Sequence, residues 1–425
     1  MRTRAAVTSF LLSLLFLVVY PLCNWITSQR ADVGTWYYEW ERYIPFVPLF
    51  IVPYMSIDLF FIGAPFLCDE ERELHMYAQR ITFAILAAGM CFLLFPFQYA
   101  LARPEVGGWL GAIFNPFRSL DRPYNLVPSL HIALRTILAE TYTRHTRGIV
   151  RLAAHVWFVL VGLSALLTWQ HHVVDVIGGF VLALLCFYLF REPAGAWLVR
   201  RSPRIGAYYA AGAIACAGAA AGLRPWGGLL VWPALALGIT AAAYWGVGPG
   251  IFRKENGTLP LSTRILLGPV LAGQWLSLYH YRRQCRPWDE IVPGVWMGRK
   301  LNVGEAAEAV QRGVKAVLDL TGEFSEAAPF LETCYRNLPI MDLTAPTREQ
   351  LLEAVEFIQE NAARGTVYVH CKIGYSRSAA VVGAYLMASG RARSAEESVA
   401  AIRGARPSAV IRPEAMDALR GFGTP

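Results

Sequence analysis

The chain has 425 residues, length for two or three domains at roughly 150 residues each. Apolar residues make up 55% and charged residues only 16%, with a mean hydropathy of +0.37. A soluble domain carries about 25% charge, so much of this chain is solvated by lipid, and disorder, collagen-like repeats and a disulfide-rich secreted fold are excluded. The net charge of +8 is spread too thinly for a nucleic-acid surface and suits arginines flanking membrane spans.

A bilayer crossing needs about 20 apolar residues. In chain order such runs fall near 6–28, 44–66, 81–101, 127–143, 149–170, 173–190, 207–223 and 226–247. The first is read as a retained helix, because no small-residue cleavage site is clear and further spans follow. The run at 264–280 is short, holds two glycines and a proline, and carries arginines at both ends, which predicts a helix lying in the interface. From residue 284 charged residues return. Strand-like runs near 315–320 and 366–371 alternate there with amphipathic stretches such as REQLLEAVEFIQENA and AEESVAAIR, an α/β pattern. The expected plan is an N-terminal crossing and outer loop (1–43), a membrane domain (44–192), two further crossings with an interfacial helix (193–283) and an α/β domain (284–425). Thirteen loop Arg and Lys residues fall on the N-terminal side and six, Arg224 among them, on the other. That bias predicts a cytoplasmic N-terminus and, after eight crossings, a cytoplasmic C-terminal domain. The eight cysteines are scattered with no C-x-x-C pair, so neither a zinc site nor a disulfide framework is indicated.

The densest signal is HCKIGYSRSA, His370 to Ala379, where an expected strand runs through a loop into a helix. Five residues separate Cys371 from Arg377. A loop of that length wraps its backbone N–H groups around one phosphate while the helix directs its positive end to the same place. Such surroundings lower a thiol pKa, and the thiolate is the attacking species. Arg377 offers a two-pronged grip on phosphoryl oxygens, and Gly374 permits close backbone approach. Lys372, Ile373, Tyr375 and Ser376 complete a moderately basic loop. Asp342, 29 residues before Cys371, follows a strand and precedes a helix; Asp319 lies on a strand, where a structural role is expected. The motif resembles His-Cys-x-x-Gly-x-x-Arg-Ser of the cysteine-dependent tyrosine and dual-specificity phosphatases, over about residues 288–425. The resemblance implies that Cys371, preceded by His370, forms a phosphocysteine, that Arg377 binds phosphate, that Ser378 eases departure of the thiolate and that Asp342 is the general acid.

A second constellation lies in the apolar half: PSLH (Pro128 to His131) and TWQHHVVDVIGG (Thr168 to Gly179). Ionisable residues in membrane segments mark function. His171 and Asp175, four apart, are expected on one helix face where the carboxylate orients the imidazole. These residues resemble the type 2 phosphatidic acid phosphatase (PAP2) superfamily, nearest its inositol phosphorylceramide synthase-like branch, over roughly residues 40–190. The resemblance implies that His171 attacks phosphorus, Asp175 orients it, His131 protonates the leaving oxygen, and Ser129 with its helix N-terminus holds phosphate. Arg103-Pro104 is the best match to the superfamily's Arg-Pro motif, with Pro96 where a Lys is expected and Arg122-Pro123 as a second candidate. Ser164-Ala165 stands where the superfamily has Ser-Arg.

The resulting expectation is a multi-span helical bundle fused to an α/β cysteine phosphatase, of bacterial type and in the inner membrane. Its bundle site would face outward and take a lipid phosphate by hydrolysis or head-group transfer. Its thiol site would work in the reducing cytosol on a phosphoprotein or a phosphorylated lipid. Neither mechanism calls for a metal or another cofactor, and no nucleic-acid partner is expected. The alternative is a transporter-like or inactive bundle anchoring an active phosphatase. The separation of His131 and His171 discriminates, since partners on one phosphate need near-hydrogen-bond reach.

Overall fold

The computed structural model describes residues 1–191, 200–223 and 228–423. The expected boundary at 192/193, Arg224 and the start of the eighth run at 226 lie outside the described residues. The chain divides into two compact units, Met1–Glu192 and Pro193–Pro425.

The first unit is helical: α1 (Arg2–Ser28), α2 (Ile51–Gly63), α3 (Glu71–Leu94), α4 (Gly108–Leu120), α5 (Leu130–Arg144), α6 (Gly148–Leu167) and α7 (Val173–Leu189). Its core joins Leu12 of α1, Phe61 of α2, Ile81, Ile85 and Phe92 of α3, Ile137 of α5, Phe158 of α6 and Ala183 of α7. Gly179 sets the crossing of α7 on α5, because a Cβ there would lie 2.5 Å from the Ser129 carbonyl oxygen. That close approach brings the start of α5 against the start of α7.

Three features differ from the sequence-based expectation. α3 begins at Glu71, ten residues early, because an acidic first turn extends the helix beyond its apolar stretch; Pro96 follows its end. The runs at 127–143 and 173–190 yield helices of 15 and 17 residues. Ser129 caps α5 through its side chain, accepting from the Ile132 N–H at 3.3 Å, and Trp169 at φ 56° turns the chain before α7. α4 was not expected at all.

The second unit opens with α8 (Pro203–Gly222) and α9 (Gly228–Ala242), then α10 (Leu261–Leu266) and α11 (Gly268–Tyr281). Among the described residues, six helical segments are long and apolar enough to cross a membrane: 2–28, 48–67, 71–94, 148–167, 203–222 and 230–252. The α/β part comprises β1 (Trp288–Val292), β2 (Val295–Arg299), α12 (Val303–Gln311), β3 (Val314–Asp319), α13 (Ala328–Leu331), β4 (Cys334–Asn337), α14 (Arg348–Ala362), β5 (Thr366–Cys371), α15 (Ser376–Ala388), α16 (Ala395–Ala405) and α17 (Pro413–Gly423). The sheet order is β1-β2-β5-β3-β4, with β1 antiparallel to β2 and the remaining pairs parallel. Central β5 is buried on both faces, which is why Val367, Tyr368 and Val369 read as one unbroken apolar run. It delivers Cys371 to the C-terminal edge of the sheet, where α15 begins.

Candidate active sites

The loop from Cys371 to Ser376 closes into a cradle. Gly374 has φ +76°, and a Cβ there would lie 2.5 Å from the carbonyl carbon and oxygen of Gly298, so only glycine fits. Arg406, fully buried on α16's C-terminal side, donates from Nε to the Gly374 carbonyl (3.1 Å) and from Nη2 to the Ile373 carbonyl (3.3 Å). Asp289 holds the same guanidinium at 2.7 Å. The cradle is thus fixed from behind by a side chain 35 residues further on.

Cys371 Sγ lies 3.4 Å from Ser378 Oγ. Burial pushes the Cys371 thiol up, but the Arg377 guanidinium, the Ser378 hydroxyl and the backbone N–H groups of Ser378 and Tyr375 outweigh it and hold the thiol below its ordinary value. Arg377 is clamped by Glu323, with Nη2 to Oε1 at 2.7 Å, and donates from Nη1 to the Ile340 carbonyl at 2.8 Å. It also reaches Asp342 Oδ1 at 3.1 Å. Asp342 is bonded through Oδ2 to Lys372 Nζ. Burial pushes the Asp342 carboxyl up; Arg377 and Lys372 outweigh it and hold the carboxyl below its usual range. Cys371, Lys372, Ile373, Tyr375, Ser376, Arg377 and Asp342 all line one cavity of about 640 Å³.

His370 and Asp319 do not line it. His370 sits behind the cradle, its Nε2 2.8 Å from Glu326 and 3.8 Å from Asp319. Burial pushes this imidazole down, but Glu326 and Asp319 outweigh it and raise its pKa. Asp319, Glu326 and His370 are close enough to share a metal ion. Their charge is already met, since Lys254 bonds Asp319 and Lys300 bonds Glu326 at 3.1 Å. This is a buried ion cluster supporting β3 and β5.

In the first unit, His171 Nδ1 is 3.4 Å from Asp175 Oδ2, without the alignment of a hydrogen bond. The expectation of a shared helix face needs correcting: α7 starts at Val173, so His171 lies in the turn before it. Asp175 Oδ2 instead accepts the His172 backbone N–H at 2.7 Å, which folds the chain back and sets His171 beside the carboxylate. His172 is held at both nitrogens, 2.8 Å from Glu41 Oε2 and accepting the Ala100 N–H at 3.1 Å. His131 stacks on Tyr54 with ring centroids 4.1 Å apart, its Nε2 buried without a hydrogen-bond partner. It lies within electrostatic reach of His171.

Arg103 is poised over the Tyr99 ring at 5.4 Å, with Nε buried and unpartnered. Arg122, the other Arg-Pro candidate, bonds Ser28 at 3.0 Å near the surface. Sequence reasoning missed Arg118 on α4. Its Nη1 donates to the Pro104 carbonyl at 2.7 Å, its Nε and Nη2 are buried without partners, and it lies within electrostatic reach of Arg103. Arg103 and Arg118 thus each keep buried N–H groups without a hydrogen-bond partner. Glu41, Glu323 and Arg406 were missed too, since each meets its partner only through the fold.

Comparison with known proteins agrees with both halves. Residues 13–189 match the PAP2 superfamily, and residues 295–424 match the dual specificity phosphatase catalytic domain. The first match starts inside α1, earlier than residue 44. Phosphatidylglycerophosphate phosphatase PTPMT2 of Arabidopsis thaliana is 29% identical over 179 residues, covering 40% of this chain and 77% of its own. Human phosphatidylglycerophosphatase and protein-tyrosine phosphatase 1 is 42% identical over 88 residues, 20% of this chain and 43% of its own. The chain therefore spans less than half of the human relative. The solved structure of Tk-PTP in its active form is 32% identical and covers 32% of this chain and 96% of its own, with a TM-score of 0.30. The chain joins a PAP2-superfamily domain to a dual specificity phosphatase catalytic domain, two phosphatase families in one polypeptide.

Proposed function

We propose that the protein is an integral membrane phosphatase with two phosphoryl-transfer sites, both acting on phosphorylated lipids. The observation that carries this reading is the convergence of Cys371, Arg377 and Asp342 on one cavity, in a chain with six crossing-length apolar helices among its described residues. The plant relative is named for action on phosphatidylglycerophosphate, and the human relative is named both as a phosphatidylglycerophosphatase and as a protein-tyrosine phosphatase, which supports a lipid phosphomonoester among the substrates.

At the cysteine site the Cys371 thiolate attacks phosphorus, an S–P bond forms and the ester P–O bond breaks. The leaving oxygen takes a proton from Asp342. Free Asp342 is held ionised by Arg377 and Lys372. A bound phosphate dianion satisfies those two cations and adds a negative charge beside the carboxyl, so substrate itself raises the Asp342 pKa and readies it as an acid. Water then gives its proton to Asp342 and attacks the phosphocysteine. The S–P bond breaks, and the Ser378 hydroxyl donates to the departing thiolate.

At the bundle site, His171 is the nucleophile, Asp175 its positioning carboxylate and His131 the proton donor, with Arg103 and Arg118 gripping phosphate. Ser129 serves the start of α5 as its cap. The arginine bias supports an inner-membrane protein with a cytoplasmic thiol site and an outward bundle site. The test is phosphate release from a panel of lipid phosphates, including phosphatidylglycerophosphate, by wild type, Cys371→Ser and His171→Ala. Each single variant should lose part of the panel. Wild-type turnover in both variants would refute the assignment.

A further inference from the structure

The Cys371 cavity has a wall that neither family match covers. Residues 190–294 fall between the two matched ranges, yet Tyr209 of α8, Leu237 of α9 and Pro269, Val270, Gly273 and Gln274 of α11 line the cavity. At about 100° per residue, α11 presents three faces. Val270, Gly273, Gln274 and Ser277 face the cavity. Leu271 and Leu278 are buried, Leu278 against Phe324 and Ile373 beneath the cradle. Trp275, Leu276 and Tyr279 make up the third face and are 53%, 71% and 56% exposed. α9 ties into this arrangement through the Trp232 indole N–H, which donates to the Ile265 carbonyl at 2.8 Å. The same unit holds the crossing-length segments 203–222 and 230–252.

The cavity lining therefore combines cationic and apolar side chains. Arg377, Lys372 and Arg412 are the cations, while Leu237, Pro269 and Val270 belong to the wall. Such a space fits an amphiphile with a phosphomonoester head and an apolar stem. Gly273 is bare at the cavity face: a Cβ there would meet nothing within 4 Å. Gln274 has a second task, accepting from Lys372 Nζ at 2.9 Å while Lys372 bonds the proposed acid Asp342. We infer that α8, α9 and α11 form the specificity wall of the cysteine site, selecting phosphomonoesters on a membrane-embedded apolar stem that passes along Gly273. This rests on the reading of Cys371 as a lipid-phosphate phosphatase.

The test uses the full chain with His171→Ala, so that only the cysteine site reports, in phosphatidylcholine nanodiscs. Three substrates are compared: a long-chain phosphatidyl phosphomonoester, its dihexanoyl analogue and p-nitrophenyl phosphate. Gly273→Trp should lower the kcat/KM ratio of long-chain lipid to p-nitrophenyl phosphate by about tenfold or more, the scale of a few methylenes losing burial. Gly273→Leu should give a smaller drop in the same ratio, and the dihexanoyl analogue should fall in between. An unchanged ratio in both variants would overturn the wall while leaving the phosphatase reading intact. If the Trp variant is inactive on every substrate, the Leu ratio decides. Cys371→Ser in the same background must abolish all three activities; if it does not, the underlying reading fails. Wild-type hydrolysis of p-nitrophenyl phosphate with no lipid turnover would refute both.

Discussion

Arg377 and Ser378 hold the Cys371 thiol below its ordinary value against the opposing effect of burial. The reactive thiolate is then present at lower pH than for a free thiol, and the acid limb of activity follows its deprotonation. Removing the guanidinium leaves burial with less opposition. Arg377→Gln should therefore shift the pH midpoint of Cys371 alkylation upward, read as the iodoacetamide rate against pH. An unmoved or lowered midpoint would contradict the electrostatic account. Asp342→Asn tests the proton donor. It should slow turnover of alkyl phosphates by about 10²- to 10⁴-fold, the usual worth of a general acid, and aryl phosphates far less, because their leaving groups need no proton. Equal losses would point to another acid. Cys371 and Arg377 were legible because one short sequence motif holds both. Glu323, which clamps Arg377 at 2.7 Å, lies 54 residues upstream in no recognisable motif, so only the fold reveals it.

Elements meet through a few buried charges. Lys254, just before α10, enters the catalytic domain to bond Asp319, with side chains 3% and 0% exposed, and donates to the Thr321 carbonyl at 3.1 Å. Lys254→Met leaves the Asp319 carboxylate buried with less compensation, at a cost of about 3–5 kcal/mol. The unfolding temperature of the full chain should fall clearly, whereas the exposed Arg312→Met should change it little. At this scale the sequence was readable where period and length agreed. α14 spans Arg348–Ala362 and β5 spans Thr366–Cys371, as their patterns predict. α4 escaped because Gly107, Gly108, Gly111 and Pro116 break any apolar run, and its one arginine reads as a loop charge. The run at 173–190 matches α7, but His171 was wrongly placed on its face, because i, i+4 spacing is satisfied equally by a turn folded back through an Asp side chain.

For the whole molecule, the proposed function gives each half its own nucleophile, phosphate grip and proton donor, so on that proposal the two activities are chemically independent. The arginine bias further predicts that a reporter fused after the last residue behaves as cytoplasmic, while a cysteine placed at Gly107 labels from outside. A terminal reporter reading as external would place the thiol in an oxidising space and contradict the proposed chemistry. The most direct test of two independent sites is inactivation by a thiol alkylator, followed in parallel with p-nitrophenyl phosphate and a lipid phosphate cleaved at the bundle site. No cysteine belongs to the set of His131, His171 and Asp175. Alkylation should therefore abolish aryl phosphate hydrolysis and spare the lipid turnover that persists in Cys371→Ser. Loss of both activities in wild type, with lipid turnover protected in Cys371→Ser, would show the sites to be coupled and contradict the account.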